Sequence, residues 1–193
     1  CLLFLAPGLL LALASGLDPH RPTFLVRLVS WQANHDVGER GWNESLLARV
    51  LDRLAAAGRP VVSSEAPLPA RFRGFAYRGR PGAMHHLMAH CRGYIGESAT
   101  MASECAVLGV PSVYAAHTGR GYTDEQESRY GLVRNVRSLD PAALDASLDW
   151  LLAQSERDCA RAREQLLADT IDVAQMVADR ITVAAAAHAA GRA

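Results

Sequence analysis

Apolar and polar residues alternate along this chain in blocks that predict strands and helices in turn. The mostly apolar run at 23–30 (TFLVRLVS) predicts a buried strand. Leucine and valine then recur at helical spacing over 44–57, between a capping Asn43 and a terminating Gly58. Further strands are predicted at 60–64, 92–96, 111–115 and 132–136, with a weak one at 75–77.

Helices are predicted between these strands from the signals at their ends. Thr123 and Gln126 have the spacing of a capping box. Asp140 followed by Pro141 is typical of a helix start. The predicted helices are a short one after Pro81, then 100–108, 123–131, 141–153 and, in the alanine-rich tail, about 156–190.

Regular alternation of strands and helices implies a parallel sheet with helices on both faces. The predicted fold class is therefore α/β, with a Rossmann-like domain at 20–155 and a helical tail at 156–193. Residues 1–19 form a separate apolar segment, whose first part (CLLFLAPGLLLALA) is too short for a membrane span and lacks the basic stretch of a signal peptide. We expect this segment to be an interdomain remnant that packs against a region outside this chain.

Composition argues against several classes of function. The 20 basic residues balance the 20 acidic ones, so no overall positive field indicates nucleic-acid binding. The four cysteines form no CxxC pair, and we therefore expect reduced thiols and a cytoplasmic protein. His86 and His90 are four residues apart, but no third ligand has suitable spacing, so neither a metal nor another cofactor is predicted.

The best candidate for ligand binding is the turn Gly96–Thr100, between a predicted strand and a predicted helix. Ligands of open α/β sheets bind beyond the carboxyl ends of the strands, and the free amides at a helix start favour phosphate. Ser98 and Thr100 add hydroxyl groups, and Glu104 lies one helical turn later, where a carboxylate could accept hydrogen bonds from a ribose. From the pattern alone, a plain helix cap with a solvated Glu104 is the simpler explanation.

The run Gly96–Tyr114 (GESATMASECAVLGVPSVY) resembles the nucleotide-binding stretch of UDP-N-acetylglucosamine 2-epimerases and GT-B glycosyltransferases. The segments Glu104-Cys105 and Leu108–Pro111 match in register. By this resemblance, Ser98 binds phosphate and Glu104 binds ribose. Ala99-Thr100 replaces a glycine pair of those families, which implies less room for a diphosphate.

The chain also resembles the domain-of-unknown-function 354 family, over roughly residues 20–180. The similarity lies in Val26-Arg27, Ser30-Trp31, His35–Gly38, Ser63–Glu65, Gly96–Pro111 and Gly119–Glu127. It implies the carboxyl-terminal, Rossmann-like domain of a two-domain GT-B protein. Such a domain would bind a nucleotide-sugar donor and face an amino-terminal partner domain.

The resemblance adds candidate residues from two other loops. His35 would face the nucleotide, at a phosphate or as a general acid or base, although a loop histidine bonded to its neighbours fits the pattern as well. Arg120 would pair with a phosphate and Tyr122 would pack on the sugar. Ordinary helix capping is the alternative explanation for this second loop.

These observations lead to one main functional hypothesis. The chain is the nucleotide-sugar-binding (UDP-sugar-like) half of a glycosyltransferase or sugar-nucleotide epimerase, with Ser98, Ala99 and Thr100 at the diphosphate and Glu104 at the ribose. The alternatives are a non-catalytic nucleotide-sugar-binding module and an interaction protein that forms a homo-oligomer.

Overall fold

The computed structural model describes residues 8–30 and 41–190, with side chains as far as His188. The strands are β1 (Thr23–Leu28), β2 (Arg59–Ser64), β3 (Gly93–Gly96), β4 (Ser112–Ala115) and β5 (Val133–Val136). The helices are α1 (Leu9–Ala14), α2 (Glu44–Ala57), α3 (Met84–His90), α4 (Ala99–Leu108), α5 (Gly121–Glu125), α6 (Pro141–Ala153), α7 (Glu156–Ala168) and α8 (Val173–Ala190). Two 3₁₀ turns, at Ala70–Phe75 and Pro81–Ala83, precede α3. A π-helical turn at Gln126–Tyr130 continues α5.

The five strands form one parallel sheet in the order β2-β1-β3-β4-β5. The chain adds β2 on one side of β1 and then returns to add β3 on the other side. The order therefore reverses between β1 and β3, and such a switch point is where open α/β sheets bind ligands. This sheet, with helices on both faces, confirms the predicted α/β, Rossmann-like fold class.

The core has two layers because successive strand residues point to opposite faces of the sheet. Phe24 and Val26 of β1 pack in the layer formed by α2 and α6, whereas Leu25 packs in the layer formed by α3, α4 and α7. Leu54 of α2 and Leu148 of α6 are completely buried. Burial of each such side chain contributes about 1.5–3 kcal/mol of hydrophobic free energy.

Local end signals account for the helices that the sequence predicts best. The side chain of Asn43 accepts a hydrogen bond from the amide of Leu46 at 2.9 Å, and that of Asp140 accepts one from Ala143 at 2.9 Å. Gly109 ends α4 with a φ of 82°, a left-handed conformation that strains residues with a Cβ. The bounds of α2 and α6 are those predicted.

Two predictions about local structure are wrong. The capping box does not form, since α5 already begins at Gly121 and the hydroxyl of Thr123 donates to the carbonyl of Arg120 at 2.8 Å. The side chain of Gln126 donates to Ser103 of α4 at 2.9 Å instead of turning back on its own helix. The weak strand at 75–77 is reduced to one bridge, between Ala76 and Val62, after the 3₁₀ turn.

The terminal helices differ in how they contact the domain. Helix α1 packs on α3, where Ala12 is buried and the amide of Gly8 donates to Nδ1 of His86 at 3.0 Å. Helix α7 packs on α4, with Nε of Arg163 donating to the carbonyl of Val107 at 2.8 Å. The side chains of α8 are exposed as far as His188.

Within the described ranges, no helix combines the length and hydropathy needed to cross a membrane.

Cys91, Cys105 and Cys159 are buried free thiols. Burial raises the pKa of Cys91 to about 12 and also raises the pKa values of Cys105 and Cys159. The thiolate is the reactive form of cysteine. In a Cys1→Ser variant, which keeps only these buried thiols, we therefore expect the reaction with a thiol reagent at neutral pH to be only as fast as the unfolding of the chain. Stopped-flow labelling at several denaturant concentrations measures this, and rapid labelling of the native chain would contradict it.

Candidate functional site

The start of α4 offers unbonded backbone amides at the carboxyl end of β3. Ser98 precedes the helix in an extended conformation, and its hydroxyl accepts a hydrogen bond from the amide of Met101 at 3.3 Å. The amides of Ala99 and Thr100 donate to no other residue in the described part of the chain. Such amides, together with the positive end of the helix dipole, form an anion-binding site.

The side chains of Ala99 and Thr100 point in different directions. Ala99 is 8% exposed and belongs to the hydrophobic core, whereas Thr100 is exposed. Ala99 can therefore reach a ligand only through its backbone amide. Its methyl group does not fill the space in front of the helix, so the absence of glycine at this position does not by itself narrow the site.

Gly96 allows β3 to lie close to β1 at this end of the sheet. A Cβ built on Gly96 would lie 2.4 Å from the carbonyl oxygen of Arg27 and 2.8 Å from its amide nitrogen. Both are backbone atoms of a paired strand and cannot move aside. Any larger residue at position 96 would push the two strands apart below the site.

Glu97 joins the turn before α4 to the loop between β1 and α2 at the switch point. Glu97 is buried, with 4% of its surface exposed. One oxygen of its carboxylate accepts a hydrogen bond from the amide of Val29 at 2.9 Å, and the other accepts one from the amide of Trp42 at 2.7 Å. The indole of Trp42 donates to the carbonyl of Ala115, at the end of β4, at 3.0 Å. Glu97 thus fixes the two described ends of the loop between β1 and α2 next to the start of α4.

A second polar network links the ends of β1 and β2. The guanidinium of Arg27 donates to the hydroxyl of Ser63 at 2.8 Å and to Glu65 at 2.5 Å. The other oxygen of Glu65 accepts from the amide and the hydroxyl of Ser30, each at 3.0 Å. The Ser30 amide, the Ser30 hydroxyl and Arg27 lower the pKa of Glu65, which keeps this carboxylate ionised.

Glu104 is a half-buried carboxylate one turn after Thr100. It makes no hydrogen bond or ion pair with any other residue in the ranges 8–30 and 41–190. Burial raises the pKa of Glu104, while the nearby His85 of α3 acts in the opposite direction. A partly desolvated, unbonded carboxylate is suited to accept hydrogen bonds from the hydroxyl groups of a ligand.

Arg120 and Tyr122 lie at the start of α5, in the loop that follows β4. Arg120 is half-buried, and its Nη1 donates to the carbonyl of Gly119 at 2.9 Å. Its own carbonyl accepts from the amides of Thr123 and Asp124, each at 3.0 Å. Tyr122 is 44% exposed. Because β3 and β4 are neighbours in the sheet, this loop leaves the same edge beside the start of α4.

The candidate residues therefore divide into three groups. Ser98, Ala99, Thr100 and Glu104 lie together at the start and in the first turns of α4, and Arg120 and Tyr122 lie at the start of the next helix along the edge. His35 lies outside the described residues. Among those residues, no group of three or more His, Cys, Asp and Glu side chains could hold a metal ion.

Sequence reasoning missed the role of Glu97 and Trp42. An acidic residue directly after a buried strand is a usable signal, since a buried carboxylate must find donors. Its donors, however, lie 68 and 55 residues away, in a loop whose position only the folded sheet determines.

Comparison with known proteins places the fold. No family profile and no curated protein matches the chain. Among solved structures, it is similar to CalG4, the calicheamicin glycosyltransferase (TM-score 0.53, 22% identity over 78% of this chain). It is also similar to the glycotransferase of kitacinnamycin (TM-score 0.54, 16% identity, 80% of this chain). A third neighbour is the glycosyltransferase SnogD from Streptomyces nogalater (TM-score 0.55, 16% identity, 87% of this chain).

These three neighbours are longer proteins. The chain covers 39%, 41% and 44% of their lengths, respectively. At this level of identity the similarity concerns the fold. The chain has the α/β, Rossmann-like fold found in GT-B glycosyltransferases.

Proposed function

We propose that this chain binds a nucleotide-sugar donor of the UDP-sugar type, with the donor's diphosphate at the start of α4. The observation that carries the proposal is that the amides of Ala99 and Thr100, beside the switch point, donate to no acceptor among the described residues. The same helix carries, one turn further on, the carboxylate of Glu104, which bonds to no residue in the ranges that the structure describes. Amides for a diphosphate and a carboxylate for a ribose are the groups that a nucleoside diphosphate needs.

In this proposal each candidate residue has one task. The amides of Ala99 and Thr100 and the hydroxyls of Ser98 and Thr100 hold the diphosphate, and Glu104 accepts hydrogen bonds from the ribose hydroxyls. Arg120 pairs with a phosphate oxygen once it leaves the carbonyl of Gly119, and the exposed ring of Tyr122 packs on the sugar. His35 acts at a phosphate or as a general acid or base.

We further propose that the chain is the carboxyl-terminal half of a two-domain protein. Its coverage of 39–44% of the solved glycosyltransferases supports this division. Residues 20–155 form the donor-binding domain, 1–19 the remnant of an interdomain segment and 156–193 a tail. With an amino-terminal domain closing the cleft, the reaction is glycosyl transfer or sugar-nucleotide epimerisation, with α4 stabilising the departing diphosphate.

A Glu104→Gln substitution tests the ribose contact. We expect it to weaken the binding of UDP by about tenfold, because an amide replaces a charged acceptor. Binding of inorganic pyrophosphate, which has no ribose, should stay the same. Isothermal titration calorimetry with both ligands measures the difference, and Glu164→Gln, at an exposed position of α7, is the matched control.

The pH dependence of the same titrations adds a second readout. Protonation removes the charge of Glu104, and burial raises the pKa of this carboxyl above its ordinary value. UDP binding to the unmodified chain should therefore weaken as the pH falls through that raised pKa, and the Glu104→Gln variant should lack this step. An equal loss of UDP and pyrophosphate binding would contradict the role of Glu104, and no loss of either would contradict the assignment of the ribose.

A further inference from the structure

Helix α1 exposes three consecutive leucines. Leu9, Leu10 and Leu11 are 53%, 81% and 50% exposed, while Ala12 on the opposite side is completely buried. The contact with α3 and the hydrogen bond from Gly8 to His86 hold the helix on the domain surface. With six residues, α1 lies on this surface as a short apolar ridge.

Arginines surround the carboxyl end of this ridge. A groove of about 360 Å³ is lined by residues 13–17 on one side and by Arg59 and Arg78 on the other. A Cβ on Gly79 would lie 2.8 Å from the hydroxyl oxygen of Ser15, so the backbone next to Arg80 lies beside this segment. The three arginines are exposed, and none forms an ion pair with another described residue.

Few opposing charges face this region. The carboxylate of Asp18 accepts hydrogen bonds from the amides of His20 at 2.9 Å and Arg21 at 3.2 Å, and it also interacts electrostatically with Arg59. Glu156 lines the adjoining groove together with Leu9. Apolar side chains at the front thus share one surface with guanidinium groups that form no ion pair within the described part of the chain.

We propose that this leucine–arginine surface (Leu9, Leu10, Leu11, Arg59, Arg78 and Arg80) docks the domain on an anionic membrane surface. An amphipathic segment in the plane of the interface buries its apolar side chains at the acyl boundary, and basic side chains beside it bind the lipid phosphates. The observed combination of exposed leucines and exposed arginines has this complementarity. An acidic protein or a second copy of the chain would match only one half of the surface.

Co-sedimentation with lipid vesicles tests the proposal. We expect the full chain to bind vesicles of phosphatidylcholine with phosphatidylglycerol and not vesicles of phosphatidylcholine alone. The partition coefficient should fall about fivefold in each of Arg78→Gln and Arg80→Gln, and about tenfold or more in Leu10→Ser. The control variants Arg157→Gln and Ile181→Ser, at exposed positions of α7 and α8, should bind as the unmodified chain does.

Three outcomes would overturn the proposal. The first is no binding to the anionic vesicles, and the second is binding that the variants of the leucine–arginine surface do not weaken. The third is self-association in the absence of lipid that Leu10→Ser abolishes, measured by light scattering, because it would assign the leucines to a second copy of the chain.

Discussion

Replacing Glu97 with alanine is expected to lower the free energy of unfolding by about 3 kcal/mol. The substitution leaves the amides of Val29 and Trp42 without their acceptor in a buried environment. It also separates the loop between β1 and α2 from the end of β3. Urea denaturation followed by circular dichroism measures the change.

Two further variants isolate the cause of this loss. Glu97→Gln keeps one acceptor oxygen and should fall between the unmodified chain and Glu97→Ala. Glu164→Ala removes a carboxylate from an exposed position and should change the free energy of unfolding by less than about 0.5 kcal/mol. A loss below about 1 kcal/mol in Glu97→Ala would show that the carboxylate does not hold the loop.

Thr100→Asp is expected to separate stability from ligand binding. A carboxylate in the first turn of α4 interacts favourably with the helix dipole, so the free energy of unfolding should stay constant or rise by about 0.3–1 kcal/mol. The same charge would repel a diphosphate bound at the amides of Ala99 and Thr100. We expect the affinity for UDP to fall at least about tenfold. The reason is that a carboxylate and a phosphate held next to each other near a protein surface repel each other by more than about 1 kcal/mol.

The matched control is Ala142→Asp, at the second position of α6 and also exposed. It places the same charge in the first turn of another helix, away from the candidate site. It should leave the affinity for UDP unchanged, and its gain in stability should be smaller than that of Thr100→Asp, because the capping carboxylate of Asp140 already lies at the start of α6. If Thr100→Asp bound UDP as well as this control, the diphosphate would not lie at the start of α4.

Much of the fold could be predicted because the deciding interactions are local. Asn43 and Asp140 cap helices through amides three residues away, and the apolar run at 23–30 contains β1. The predicted capping box of Thr123 and Gln126 failed for the opposite reason. Gln126 reaches Ser103, which lies 23 residues earlier on a helix that only the tertiary structure brings near.

The same distinction between local and long-range interactions applies to the candidate site. The position of Ser98 before a helix, and of Glu104 one turn along it, could be inferred from sequence spacing. The burial of Ala99 could not, because it depends on how α4 packs against the sheet. Neither could the bonds of Glu97 to Val29 and Trp42, since these two donors belong to a loop from another part of the chain.

The most direct test of the central claim is a titration of the ¹⁵N-labelled chain with UDP, followed amide by amide in two-dimensional NMR spectra. The proposed function predicts the largest chemical-shift changes at the amides of Ser98, Ala99 and Thr100, with smaller ones around Glu104 and Arg120. Uridine, which lacks the diphosphate, should leave the first three amides nearly unchanged. Changes of similar size with uridine, changes confined to other parts of the chain, or none at millimolar UDP would contradict the claim that the start of α4 binds a nucleotide diphosphate.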